Sequence, residues 1–208
     1  MSHDIQLIVF DMGHVFIDFE WEAVCQGFCT RAGISQEQFQ LVLKHIGSLG
    51  YEHGHIETAD FIAAINEQMV AYGNANPITD KEFHALWNAT FRENLAMAQL
   101  MQSLKRRCKL YLLSNTNEAH WQFIDNSYQV NRHFDELILS FEIGHVKPKH
   151  DIYHEVLKRS KLSAEQCVFI DDLPQNVAAA SEVGMNVVHF QGIDDLVARL
   201  QAMGVMTE

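Results

Sequence analysis

The chain is poor in cysteine, in positive charge and in long apolar runs, and each shortage excludes something. Four cysteines (Cys25, Cys29, Cys108 and Cys167) spread over 208 residues do not make a disulfide framework. Cys25 and Cys29 sit four apart on an expected helix, but no histidine or second cysteine pair completes a tetrahedral set, so packing is the reading. Lysine and arginine total 15 against 27 aspartate and glutamate, a net charge of −12. That balance argues against a nucleic-acid partner, because little here would displace counterions from a phosphate backbone. A small phosphorylated ligand needs only a local positive site and stays open. No apolar run approaches the roughly 20 residues of a membrane span. The opening Met1-Ser2-His3-Asp4 carries no basic region before a short apolar run, so no secretory signal is read and a cytoplasmic location is expected. Internal repeats, low-complexity tracts and long linkers are also missing.

What remains is an ordinary globular composition, 48% hydrophobic and 20% charged, which fits one domain or a domain with an insertion. The first apolar run, Ile5-Gln6-Leu7-Ile8-Val9-Phe10, which ends in Asp11, reads as a strand buried on both faces. From about residue 20 to 93 the period is helical. Phe39, Val42, Leu43 and Ile46 share a face, as do Phe61 or Ile62, Ile65 and Met69, and again Phe83, Leu86 and Trp87. Ser35–Gln38, Thr79–Glu82 and Ser163–Gln166 read as capping boxes, and Gly33 and Gly73 as helix stops. After residue 95 the period alternates. Strands are expected near 109–113, 136–140, 167–170 and 186–190, with helices near 95–106, 118–127, 150–160, 175–183 and 193–203. This βαβ rhythm predicts an α/β fold, a Rossmann-like parallel sheet with helices on both faces. Residues 18–94 then form a helical insertion between two parts of the core, 1–17 and 95–208.

Four expected strands end in reactive groups. Asp11 follows the first, within Phe10-Asp11-Met12-Gly13. Ser114-Asn115-Thr116-Asn117 follows Leu110–Leu113, and Lys147 lies in Gly144-His145-Val146-Lys147-Pro148 after the segment ending at Phe141. Asp171-Asp172 follows Cys167–Ile170. Open parallel sheets hold ligands at the carboxyl ends of their strands. A carboxylate, a hydroxyl, a lysine and an acidic pair gathered there make a site for phosphate and a divalent metal. Adjacent carboxylates repel, so the Asp171-Asp172 pair itself calls for a cation.

In that order the four motifs resemble the haloacid dehalogenase-like (HAD) hydrolase superfamily. They look most like the branch holding bacterial α-glucose-1-phosphate phosphatase and the N-terminal phosphatase domain of soluble epoxide hydrolase. The resemblance implies a helical cap, formed here by the insertion, and a Mg²⁺-dependent phosphatase acting on a small phosphorylated metabolite as monomer or homodimer. It implies that Asp11 is the nucleophile, forming an aspartyl-phosphate. Mg²⁺, which favours hard oxygen ligands, would be held by Asp11, Asp172 and the Gly13 carbonyl. Asp171 and Asn176 would stand behind them. Lys147 would pair with the phosphate and restrain Asp11, while Ser114, Asn115 and the Met12–Gly13 turn would bind phosphate oxygens.

Several residues carry competing readings. Alone, Asp11 could cap a turn, Ser114–Asn117 could be an ordinary polar loop, and Lys147 could be a solvated loop lysine. His45, His84, His133 and His189 read as surface or packing residues. His14 stands where this branch usually has asparagine; it either supports the motif loop, the favoured reading, or approaches substrate. The break at Glu52-His53-Gly54-His55 resembles the part of family caps that faces the site. His53 and His55, with Arg92 at the return to the core, are thus candidate substrate contacts, the alternative being a plain loop. Many HAD phosphatases carry a second aspartate, the general acid, where this chain has Gly13. Its loss selects against basic leaving groups, so a sugar 1-phosphate, with its more acidic anomeric hydroxyl, is the favoured substrate. Two other classes remain open: a metal-independent haloacid dehalogenase, and a catalytically silent HAD-like binding protein.

Overall fold

The computed structural model describes residues 4–74 and 76–205. Its centre is a five-stranded, all-parallel sheet built from β1 (Leu7–Phe10), β4 (Lys109–Ser114), β5 (Glu136–Leu139), β6 (Cys167–Asp171) and β7 (Asn186–His189), ordered β5-β4-β1-β6-β7. Side chains alternate across each strand, and the two faces fill separately. Ile8, Phe10, Leu110, Leu112, Val168 and Ile170 pack on helices α5 (Leu95–Leu104) and α10 (Ile193–Ala202). Leu7, Val9, Leu113 and Phe169 pack on α8 (His150–Ser160) and α9 (Pro174–Glu182). This is the Rossmann-like α/β arrangement expected from the alternating period, with each core element within two residues of its expected bounds. β1 lies between β4 and β6, and strand order reverses beside it. The crevice where such sheets bind ligands therefore opens at the end of β1.

Between β2 (Ile17–Asp18) and β3 (Arg92–Glu93) stand four helices: α1 (Trp21–Ala32), α2 (Gln36–Gly47), α3 (Thr58–Ala71) and α4 (Asp80–Trp87). The capping boxes at Ser35 and Thr79 are both formed, and Gly33 closes α1 in the left-handed conformation at φ 69°. These helices bury a cluster of their own, rich in aromatic rings: Phe28 stacks on Phe39, Tyr51 on Phe61, and Phe83 on Trp87. A two-stranded antiparallel ribbon, β2 (Ile17–Asp18) with β3 (Arg92–Glu93), joins the chain's exit from the core to its return. The sequence pattern did not call for this ribbon, because two residues are too few to show a period. The remaining helices are α6 (Glu118–Tyr128), after the β4 loop, and the single turn α7 (Ser140–Ile143) after β5. Three of the four thiols are buried and none is bonded to another.

Candidate active site

Parallel register carries the expected reactive groups to one edge. Phe10 lies level with Leu112 of β4 and Ile170 of β6, so Asp11 emerges between Leu113-Ser114 on one side and Asp171 on the other. The Asp11 backbone N–H continues the ladder by donating to the Ile170 carbonyl at 2.8 Å. Lys147, from the loop after α7, reaches under both strands. Its Nζ donates to Asp11 Oδ1 and to Asp171 Oδ2, each at 2.7 Å. Its side chain is 2% exposed, which disposes of the solvated-lysine reading.

The hydrogen bonds sort the acidic groups. Asp11 Oδ1 also accepts the Met12 backbone N–H at 2.6 Å, fixing the carboxylate. Asp171 is fully buried, and its oxygens accept from Lys147, from the Leu173 N–H at 2.8 Å and from both contacts of the Asn176 amide at 3.0 Å. Asn176 thus serves Asp171. Among the described residues no such set of donors engages the half-buried Asp172 carboxylate, and the Asp172 main-chain carbonyl accepts from His189 Nε2 at 2.9 Å. His189, half-buried, thereby props the backbone of the acidic pair.

Carboxylate oxygens of Asp11, Asp171 and Asp172 lie within 4.8 Å of one another. Three carboxylates against one ammonium leave two uncompensated negative charges in a largely dehydrated place. Burial accordingly pushes Asp11 above the usual carboxylate range, Asp171 adding to the rise and Lys147 opposing it. Asp172 is raised too, again by burial first and Asp171 second. A divalent cation would supply the missing charge. The turn also suits one: its bonds run from Phe16 and Ile17 to the Met12 carbonyl and from His14 to the Ile17 carbonyl, leaving the Gly13 carbonyl unused.

The phosphate-binding expectations divide. Ser114 ends β4 almost fully buried, its hydroxyl directed back to the Asn115 carbonyl at 3.4 Å. The Asn115 side chain is committed elsewhere: its amide donates to the Lys147 carbonyl at 2.9 Å and accepts the Lys147 N–H at 2.8 Å. It fastens the lysine's backbone, so only its main-chain N–H suits a phosphate. Gly13 does not occupy the left-handed region; His14 does, at φ 53°. Asparagine tolerates that conformation better than histidine does. The His14 ring is exposed and stacks on Phe19 with centroids 4.3 Å apart.

Above these loops lies a cavity of about 650 Å³ between insertion and core. Met12, Gly13, Ser114 and Asn115 form part of its floor, and Glu52 and His53 belong to its wall. His55 does not line it but stacks on His53, with centroids 5.2 Å apart. Arg92 lies outside as well, exposed and paired with Glu20 across the ribbon. Sequence reasoning missed the aromatic wall of Phe19, Trp21, Phe61, Trp87 and Phe91. It also missed the contacts seating the insertion. Thr58 donates to Glu118 Oε2 at 2.7 Å, and the Ala119 N–H to the Tyr51 hydroxyl at 3.3 Å. Trp87 Nε1 donates to Asn117 Oδ1 at 3.4 Å, and His120 bridges Asn117 Nδ2 to the Trp87 carbonyl.

A family profile described as haloacid dehalogenase-like hydrolase matches residues 5–184. The chain belongs to that family. It is 26% identical over 189 residues to the D-ribitol-5-phosphate phosphatase of Bacteroides thetaiotaomicron, covering 86% of this chain and 89% of the relative. It is 26% identical over 197 residues to the sesquiterpene phosphatase astK of Aspergillus oryzae, covering 91% of each. Among solved structures it resembles a HAD family enzyme of B. thetaiotaomicron in complex with magnesium and inorganic phosphate. That pair has a TM-score of 0.78 and 28% identity, over 88% of this chain and 93% of that one. The protein is a HAD-like hydrolase with phosphatase relatives along nearly its full length.

Proposed function

We propose that this HAD-like hydrolase is a Mg²⁺-dependent phosphomonoesterase working through an aspartyl-phosphate on Asp11. One observation carries the reading: a buried lysine bridges Asp11 and Asp171 at 2.7 Å each, with Asp172 alongside, directly beside the Met12, Gly13, Ser114 and Asn115 that line a cavity. Asp11, Asp172 and the Gly13 carbonyl would hold Mg²⁺, which supplies positive charge against the charge developing on the phosphoryl group. Asp11 attacks phosphorus while Lys147 and the Met12 N–H keep its carboxylate from rotating. The ammonium of Lys147 has three donors, two of them used, and the third serves a phosphate oxygen. Ser114 and the Asn115 main-chain N–H complete the phosphate cradle. Asp171 and Asn176 orient Lys147 rather than touch substrate. The relatives' printed activities and their magnesium and phosphate complex support the same chemistry. A metal-independent dehalogenase would have no use for the third carboxylate.

Residues 18–94 act as the cap, hinged on the β2–β3 ribbon, with His53 as its contact toward substrate; His55 supports it by stacking. With Gly13 where an acid could stand, the leaving oxygen departs with more negative charge. Sugar 1-phosphates meet that requirement through their anomeric oxygen, as does any leaving group of similar acidity. A Cβ on Gly13 would come 3.2 Å from Phe19 Cε1, close enough that the ring must give slightly. Gly13→Asp is therefore expected to fold and to flatten the dependence of rate on leaving-group acidity. The test of the main reading is hydrolysis of p-nitrophenyl phosphate. Activity should vanish with EDTA, return with Mg²⁺ and be lost in Asp11→Asn. Asp172→Asn should raise the Mg²⁺ requirement more than Asp171→Asn. Activity untouched by EDTA would overturn the metal assignment.

A further inference from the structure

The walls of the cavity say what kind of molecule carries the phosphate. Phe19, Phe61, Trp87, Phe91, Leu43 and Ile46 all face it. Trp21 lines it as well and is 36% exposed, so the apolar surface runs on to solvent instead of closing over a small ligand.

The polar groups in the wall are mostly spent on one another. The Trp87 indole N–H, the Asn117 amide and the His120 ring form a closed set. The Tyr51 hydroxyl is shared between Thr58 and the Ala119 N–H, and Thr90 accepts the Glu20 N–H. Among the described residues, Gln40, Lys44, Glu52 and His53 are the wall side chains that no hydrogen bond or ion pair engages. All four lie between residues 40 and 53, on α2 and the turn after it; the rest of the lining offers rings, aliphatic groups and polar side chains already bonded to protein atoms. A polyol placed there would lose water from several hydroxyls and regain few partners, which is costly. A hydrocarbon group would lose nothing of the kind and would bury apolar surface.

We propose that the cavity receives a phosphomonoester whose organic part is predominantly apolar, and that this part sets which substrates the enzyme takes. The inference rests on the phosphatase reading above and deepens it. A volume of about 650 Å³ is ample for a ring system or a branched hydrocarbon. A sugar 1-phosphate satisfies the leaving-group argument but not this wall; an aryl phosphate satisfies both.

The experiment separates the two layers. Hydrolysis of p-nitrophenyl phosphate with Mg²⁺ tests the phosphatase reading by itself. Calorimetric titration of the Mg²⁺-loaded protein with n-alkylphosphonates from methyl to octyl then reads the wall without needing turnover. Affinity should rise about fourfold per methylene until the cavity fills, as expected for buried CH₂ groups. Hexylphosphonate should bind at least tenfold more tightly than a six-carbon polyol phosphonate. Leu43→Gln, at a half-buried site that admits a polar side chain, should cut the octyl-to-methyl affinity ratio about tenfold. Trp21→Ser, at an exposed position, should shift the ratio in the same direction and guards against a Leu43 variant that fails to fold. Affinity independent of chain length, or equal or tighter binding of the polyol, would overturn the apolar-substrate inference while leaving any measured phosphatase activity standing. Chain-length-dependent binding without hydrolysis would instead keep the wall and sink the phosphatase reading.

Discussion

The sheet and the helical insertion are built on opposite plans. The sheet carries continuous apolar strands that stop abruptly at polar residues, so its chemistry is concentrated at one edge in Asp11, Ser114, Lys147 and the aspartate pair. The insertion spreads aromatic rings through a core of its own and contributes mainly shape. The difference separates two tasks. Groups that must hold charge are fixed by buried ladders and short bonds, as Lys147 is between two carboxylates. In the function proposed above, groups that choose among substrates sit mainly on the insertion, seated against the core by a few long-range contacts, and these can change without disturbing the ladder.

Substitutions can break or sharpen that division. After Asp11→Asn, the largest effect is expected from Lys147→Met, which removes the cation bridging Asp11 and Asp171 while nearly keeping the side-chain volume. Activity should fall about 10²–10³-fold, the usual cost of losing one fixed electrostatic partner, with the insertion's helices intact by circular dichroism. A near-normal rate would return Lys147 to a structural role. Next comes Gly54→Ala. Gly54 has φ 69° and packs so closely on the Phe141 carbonyl that a Cβ would collide with it. The turn would have to lift from the core, adding to the ~1–2 kcal/mol cost of a left-handed alanine. A raised KM with a lowered unfolding midpoint is expected. An unchanged KM would mean that the seat of this turn does not matter to substrate.

A smaller effect concerns pH. His120 is packed between Trp87 and Phe91, and burial pushes its pKa down to about 3. The native state keeps the ring neutral while the unfolded chain protonates it below its ordinary value near 6.5. The stability it supports is therefore full above about pH 6.5 and lost progressively as pH falls toward 3. Thermal midpoints measured between pH 7 and 4 should decline less steeply in His120→Gln than in the native protein. A parallel decline would place the pH dependence elsewhere. The smallest effect is Thr79→Ala, which removes the capping box at the start of α4 and should cost about 1 kcal/mol without altering the rate with p-nitrophenyl phosphate. Chemical denaturation and a rate assay together check it.

The same contrast explains what could be read from the sequence. Strand ends were legible because a buried parallel strand must be apolar throughout, so Phe10-Asp11 or Ile170-Asp171 announces both element and boundary. The three capping boxes were legible for a similarly local reason, and all three are formed. Long-range pairings were not. Nothing near Asn115 in the chain says that its amide closes a reciprocal pair with the backbone of Lys147, 32 residues on. Nor does Arg92, a plausible substrate contact from its position, reveal that its partner is Glu20 across a two-residue ribbon. The periodicity of α2 put Leu43 on the buried face with Phe39 and Ile46, but period alone cannot tell a residue facing the helical core from one facing a cavity.

The central claim is that Asp11, held by Lys147, becomes phosphorylated during turnover. Rapid acid quenching with p-nitrophenyl phosphate and Mg²⁺, followed by peptide mass mapping, tests it most directly. A phosphoryl group on the peptide carrying Asp11, absent in Asp11→Asn, is the expected result. Steady hydrolysis with no phosphorylated peptide at any quench time, and undiminished in Asp11→Asn, would contradict the account.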